Sequence, residues 1–265
     1  MTRRVALVFA HPDDDTFGLG GTLALHREDG LEVMTVLATS GEAGPIADPA
    51  LASRENLGQV REGEARESYR VLGYPDVRLE LLRYPDGGLA QVPRDELVER
   101  VAALLEEFRP DVVVGFGPEG VTKHEDHVTM HHVATEAFHR ARDRAGLGGF
   151  HRLLQVAIAR SRIERFRQMQ REAGMEPLNP DDPFMPRGVP SEAIGVEVDC
   201  STVWRTVYEA LRAHRTQAEE IEGFPEPALP EVFGREQFAV AWPEGQPGDP
   251  VLADVLEGLP AEPAP

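Results

Sequence analysis

The chain opens into Val5–Gly21, VALVFAHPDDDTFGLGG. Val5–Ala10 is an unbroken apolar run, the composition of a strand buried on both faces. It ends at His11, Pro12 and three consecutive aspartates, Asp13, Asp14 and Asp15. Gly18, Gly20 and Gly21 follow inside what reads as a helix over residues 16–29, stopped at Gly30. A strand, a polar turn and a helix make the first half of a βαβ unit. In open α/β sheets ligands bind beyond the carboxyl ends of the strands. This stretch therefore suggests both the fold class and the place to look for chemistry.

The same texture recurs outward from it. Strands are expected at LEVMTVLATS (31–40), VRLELL (77–82), DVVVGFG (111–117), RLLQVAIA (152–159), EAIGVEVD (192–199) and EQFAVAW (236–242). Helices are expected over 52–72, 94–108, 125–142, 161–173 and 201–222. Alternating strands and helices predict an α/β, Rossmann-like doubly wound fold, with a mostly parallel sheet and helices on both faces. The later strands form a C-terminal strand/helix extension whose direction the pattern leaves open. One domain is expected over 1–242. Its proline-rich stretch 173–190 reads as a lid loop. Residues 243–265 read as a Pro- and acid-rich tail expected to fray.

A chain of 265 residues can bury about 70–75% of its unfolded surface, so its core needs no staples. Cys200 is the single cysteine, which excludes an internal disulfide framework and a cysteine-rich zinc site. With 27 basic and 46 acidic residues the formal charge is 27 − 46 = −19. That balance argues against a general nucleic-acid binder or an anionic-membrane binder. No run approaches the ~20 apolar residues of a membrane helix. The expectation is a cytoplasmic protein acting on a small molecule, without nucleic-acid or membrane partners and with homo-oligomerisation left open.

Three strand ends are polar in an unusual way: His11–Asp15, TSGEAG (39–44) and PEGVTKHEDHVTMHH (118–132). One His and one carboxylate from the first, with one His from the third, would make a two-His, one-carboxylate set with an open position, the plan of a catalytic zinc site. Zinc lowers the pKa of bound water to ~7. A further carboxylate could serve as general base. Asp15 or Thr16 could instead simply cap the helix, and His131, His132 and His139 read as non-ligating helix residues. A dinucleotide loop is the rival reading of the glycines. It fails because Leu23 stands where the third glycine belongs; close packing of helix on sheet is the better reading.

At these residues the chain resembles the PIG-L/LmbE-like family of zinc-dependent N-acetylglucosaminyl deacetylases. The matching pieces run in order: AHPDDDTFGLGGTLA (10–24), TSGEAG (39–44), VREGEARESYRVLG (60–73), YPDGGL (84–89), DVVVGFGPEGVTKHEDHVT (111–129) and ALRAHRTQ (210–217). The first and fifth together are specific; the others are weak alone. The resemblance implies His11, Asp14 and His127 as metal ligands and zinc as cofactor, with ferrous iron as the alternative. It implies Asp13 as general base and His124 beside the oxyanion. Arg61 and Asp86 match positions that hold substrate. Three departures stand out. Asp15 replaces a common Glu, Glu125 replaces a common Pro, and Lys123 sits where glycine is frequent, adding a cation at the rim.

The activity so implied is removal of the N-acetyl group from an N-acetylglucosamine conjugate. One candidate is the N-acetylglucosaminyl-malate step of bacillithiol biosynthesis. The arginines from Arg160 to Arg171 could meet such an acidic aglycone, or could simply form a solvated helix face. The alternatives are an amidase of thiol–sugar conjugates and a metallophosphoesterase. His214 and Gln217 read as surface helix residues of open role.

Overall fold

Val5 to Ala10 form the centre of the molecule, every side chain closed to solvent. The structure, a computed structural model, describes residues 2–146, 148–177, 179, 185–186, 188–218, 224–245 and 248–260. Strand β1 (Arg4–Phe9) leads into helix α1 (Asp14–His26) and strand β2 (Glu32–Thr39). Helix α2 (Leu57–Leu72), strand β3 (Arg78–Tyr84), helix α3 (Arg94–Phe108) and strand β4 (Val112–Phe116) follow. Then come helix α4 (Glu125–Ala145), strand β5 (Arg152–Val156), helix α5 (Arg160–Glu172), strand β6 (Val196–Asp199), helix α6 (Trp204–Arg212), helix α7 (Leu229–Phe233) and strand β7 (Arg235–Trp242).

The sheet order is β3-β2-β1-β4-β5-β7-β6. β1 pairs in parallel with β2 (Val5 opposite Val33) and with β4 (Val5 opposite Val112). The chain therefore reverses its winding between β1 and β4, which opens a crevice at their carboxyl ends. β7 runs antiparallel to both β5 and β6, which settles the direction of the C-terminal extension. Helices α1, α2 and α6 pack on one another, and α3 packs on α4. Phe9 and Phe116 lock β1 to β4 edge to face at 4.8 Å. A Cβ on Gly18 would lie 2.6 Å from the Phe9 ring, so this glycine lets α1 settle directly on the sheet. No helix among the described residues is long and apolar enough to cross a membrane.

Two expectations need correction. The helix read over 201–222 ends at Arg212, because His214 leaves the helical region at φ −79°, ψ 62° and a single 3-10 turn, Arg215–Gln217, follows. The tail is anchored over 248–260 rather than frayed. Leu252 exchanges backbone hydrogen bonds with Gly195 and Glu197, and Val255 is fully buried. Arg152 donates to the carbonyls of Val255 (2.6 Å) and Glu257 (2.8 Å). The apolar residues spaced among its acids supply the anchor. Of the expected lid at 173–190, residues 178, 180–184 and 187 lie outside the described residues.

Candidate metal centre

His11 lies two residues beyond the end of β1 and Asp14 opens α1. The His11 N–H donates to Asp14 Oδ2 at 2.8 Å, which turns that carboxylate back over the end of the strand. From β4 the chain passes through a tight loop into α4, whose third residue is His127. The His127 ring stacks on Phe116, centroids 4.2 Å apart and 11° from parallel. These two turns bring together two imidazole nitrogens and the two oxygens of the Asp14 carboxylate. His11 Nδ1 lies 3.1 Å from His127 Nε2 and 3.2 Å from Asp14 Oδ2. His127 Nε2 lies 3.3 Å from Asp14 Oδ1.

That spacing fits a divalent ion. With bonds of about 2.0–2.1 Å, neighbouring donors of a tetrahedral zinc site lie roughly 3.3–3.4 Å apart. The outer ring nitrogens are also occupied in the way metal-binding imidazoles require. His127 Nδ1 faces the Gly120 carbonyl at 3.0 Å and Thr122 Oγ1 at 3.2 Å. His11 Nε2 faces Asp86 Oδ1 at 3.1 Å and Asp126 Oδ2 at 3.4 Å. Asp126 is held in turn by the N–H groups of Gly87 (2.8 Å) and Leu89 (3.0 Å). The His11–Asp86–Asp126 group is tight enough to suggest a site of its own. It is better read as the outer layer of the first, since it approaches the opposite nitrogen of the same ring.

The electrostatics show a demand for positive charge. Burial works against ionised His11, yet Asp126, Asp14 and Asp86 together hold its pKa well above the ordinary value. Burial would raise Asp14, but His127 and His11 hold it well below the usual carboxylate range. Asp86 is likewise held down to about 2, burial being outweighed by His11 and the Ala43 N–H. His127 is lowered, chiefly by burial. A cation among these side chains would take over the compensation that a proton on His11 otherwise supplies.

Asp13 has φ 112° and ψ −36°, a conformation few non-glycine residues adopt. Strain of this kind persists where surrounding contacts over-determine it. Here Arg61 supplies them: Nη2 donates to Asp13 Oδ2 (2.9 Å) and the Pro12 carbonyl (2.7 Å), and Nη1 to the Gly41 carbonyl (2.9 Å). His124 stands half-buried beside the pair of imidazoles, its ring 4.9 Å from His11 and 5.0 Å from His127. Its Nδ1 accepts the Asp126 N–H and so caps α4. Glu125 then begins the helix where the resemblance favours proline, and an acid at that end suits the helix dipole. Asp15 is buried under the site; burial pushes it up to about 6 against the hydrogen bond from Tyr69.

The residues expected to touch substrate are packed into this arrangement. Arg61 is 4% exposed. Asp86 binds His11 and accepts the Ala43 N–H at 2.9 Å. The Arg160–Arg171 side chains are spent locally. Arg162 donates to the carbonyls of Glu231 and Val232. Arg165 pairs with Glu231 and Arg167 with Glu164. Arg160 reaches the Gly188 carbonyl and Arg171 reaches Gln168.

His214 and Gln217 are buried rather than on a helix surface. Thr216 donates through its N–H (3.0 Å) and hydroxyl (2.7 Å) to Glu64, one turn beyond Arg61 on α2. Gln217 donates to the Pro45 carbonyl at 2.9 Å. His214 is fully enclosed; burial and the Arg61 charge lower its pKa to about 3. Both its ring nitrogens and Arg61 Nε lack partners among the described residues. This segment braces the helix and loop that hold Arg61. The one signal in the sequence was the lapse of apolar spacing after Leu211.

Fold and site thus define a doubly wound α/β protein with a buried His–Asp centre at its topological switch point. Comparison places it further. The family model described as PIG-L, GlcNAc-PI de-N-acetylase, matches residues 6–138, and the chain belongs to that family. It is 32% identical to a 1D-myo-inositol 2-acetamido-2-deoxy-alpha-D-glucopyranoside deacetylase of Geodermatophilus obscurus, over 98% of this chain and 99% of that one. Among solved structures it resembles the N,N'-diacetylchitobiose deacetylase of Pyrococcus horikoshii (TM-score 0.61, 24% identity, 93% of this chain and 84% of that one). It also resembles the 4-carboxy-2-hydroxymuconate hydratase of Pseudomonas putida KT2440 (TM-score 0.63, 17% identity, 93% and 98% covered). Both structural likenesses speak to fold alone, and one fold hosting a hydratase shows that reaction must be argued from the site.

Proposed function

We propose that this protein is a metal-dependent de-N-acetylase of an N-acetylglucosamine conjugate, with zinc as the expected ion and ferrous iron as the alternative. The observation that carries the reading is the triangle of His11 Nδ1, Asp14 and His127 Nε2, with edges of 3.1–3.3 Å. His11, Asp14 and His127 would hold the ion, which when bound supplies a nucleophile near neutral pH and polarises the amide carbonyl. Asp13 takes the proton of the attacking water. Arg61 fixes the carboxylate for that task. His124 hydrogen-bonds the developing oxyanion, a contribution typically worth ~10²–10³ in rate, and passes a proton to the departing amine. The curated relative, matched along almost its whole length, makes an N-acetylglucosaminyl inositol the first conjugate to try.

The test is acetate release by purified protein, loaded in turn with zinc and ferrous iron, from N-acetylglucosaminyl inositol and from free N-acetylglucosamine. A phosphate monoester serves as the third substrate. Metal-dependent acetate release supports the reading. Metal-loaded protein that releases only phosphate, or nothing from any of the three, sinks it.

A further inference from the structure

Glu236, the second residue of β7, is buried with its carboxylate against the middle of α1. Oε1 accepts the Gly21 N–H at 2.6 Å; Oε2 accepts the Thr22 N–H at 3.0 Å and the Thr22 hydroxyl at 2.5 Å. Amides inside a helix ordinarily serve the carbonyls four residues back. A side chain that reaches two of them in succession is an added tie between helix and sheet. Gly21 makes room for it: a Cβ there would lie 2.5 Å from Cys200 Sγ and 3.0 Å from Glu236 Oε1. The same helix begins at Asp14, about 10 Å away at 1.5 Å per residue. The tie therefore fixes the axial position of a metal donor from the far end of the helix.

Two effects oppose each other at this carboxyl. Burial favours the neutral acid and pushes its pKa up to about 7, against Thr22, Gly21 and the charge of Arg162. The geometry favours the anion, since three donors converge on two oxygens. Protonation replaces charge-assisted hydrogen bonds by neutral ones about half as strong. It also adds a proton that, of these three partners, only the Thr22 hydroxyl can accept. The other charges nearby are engaged elsewhere. Glu197 pairs with Arg235, Glu231 with Arg165 and Asp254 with His26. Asp199 accepts the Ser201 N–H, and burial keeps the Cys200 thiol protonated. We propose that Glu236 is a positioning residue for the metal centre: its anion pins α1 in the register that presents Asp14, and its acid loosens that hold. The inference rests on the metal-binding half of the reading above and not on the substrate.

Amide exchange at Gly21 and Thr22 follows the pin directly, read by NMR as protection factors from pH 5.5 to 8.5 with zinc in excess. Protection in the wild type is expected to rise with pH by about tenfold, through a midpoint near 7. Glu236→Gln is expected to show low protection and no midpoint. Its zinc affinity at pH 8, by chelator competition, should be about 5-fold weaker, the lower end of coupling between distant sites. Thr22→Val takes one donor from the anion and keeps both amides, so it should raise the midpoint by about one pH unit. A carboxyl with only a packing role would leave no midpoint to move. Wild-type protection without a step in this range, or wild-type zinc affinity in Glu236→Gln, overturns the proposal and leaves the metal centre standing. An unmoved midpoint in Thr22→Val overturns it whether or not Glu236→Gln folds. A wild type that binds neither zinc nor ferrous iron overturns the metal-centre reading and this proposal together.

Discussion

Arg61 Nη2 lies 2.9 Å from Asp13 Oδ2, and both side chains are almost closed to solvent. A buried guanidinium thus fixes a carboxylate whose own backbone is in an unfavourable conformation. Arg61→Ala frees that carboxylate and leaves the side chains of His11, Asp14 and His127 in place. The expected outcome is a fall in kcat/KM of at least about 100-fold, the lower end of what general base catalysis contributes. Metal content, read by atomic absorption, should stay near one ion per chain. Loss of the ion instead would place Arg61 in support of the metal donors.

Asp126 touches His11 only on the nitrogen facing away from the donor triangle. Asp126→Asn keeps its shape and removes its charge. Metal affinity should weaken about 10–100-fold, as for other outer partners of metal-bound imidazoles. Chelator competition measures it. Unaltered affinity would show that Asp86 alone sets the ring.

His214 is buried neutral with a pKa lowered to about 3. A pKa depressed on folding gives stability that is present above the unfolded value, near 6.5, and lost as pH falls toward 3. His214→Leu should therefore flatten the pH dependence of stability across that window by up to about one proton. Urea unfolding at pH 4, 5, 6 and 7 tests this, and parallel curves for the two proteins would refute it. Catalysis should fall as well, since the brace on Arg61 is altered.

His26 contacts Asp254 of the tail at 2.7 Å and Asp29 at 2.8 Å. The Asp254 hydrogen bond outweighs burial and raises its pKa. A raised pKa means this latch is fully present below the unfolded value and is lost as pH rises through the folded one. Amide exchange over 250–258 should accelerate at alkaline pH in the wild type, and His26→Ala should exchange fast throughout. Arg152→Ala removes two hydrogen bonds from a charged donor to tail carbonyls and should destabilise the protein by about 1.5–3 kcal/mol. Its readouts are denaturant unfolding and release of the tail by protease.

The parts that read clearly in the sequence were those whose period or chemistry is local. RDELVERVAALLEEF became α3 from Arg94 to Phe108, residue for residue. The apolar run at Val5 became the central strand because nothing polar interrupts it. His11, Asp14 and His127 belong to two sequence motifs, and the structure brings them together across the ends of β1 and β4. Arg61 was legible as important but not as a support for Asp13, since that contact spans 48 positions and depends on a turn with no local signature. The burial of His214 is invisible in the sequence because composition cannot show that the helix stops two residues earlier. The anchoring of the tail has no local signature, because its prolines and acids mask Leu252 and Val255, whose partners lie on strands far back in the chain.

His11 and His127 stand 116 positions apart. An ion gripping both would act as a reversible crosslink closing nearly half the chain, and the unfolded polymer offers no such paired grip. Closing so long a loop is entropically costly before the strands meet, so neither partner can be saturated early in folding. Availability of the ion should then set how much folded protein survives heat, rising with its free concentration as mass action requires.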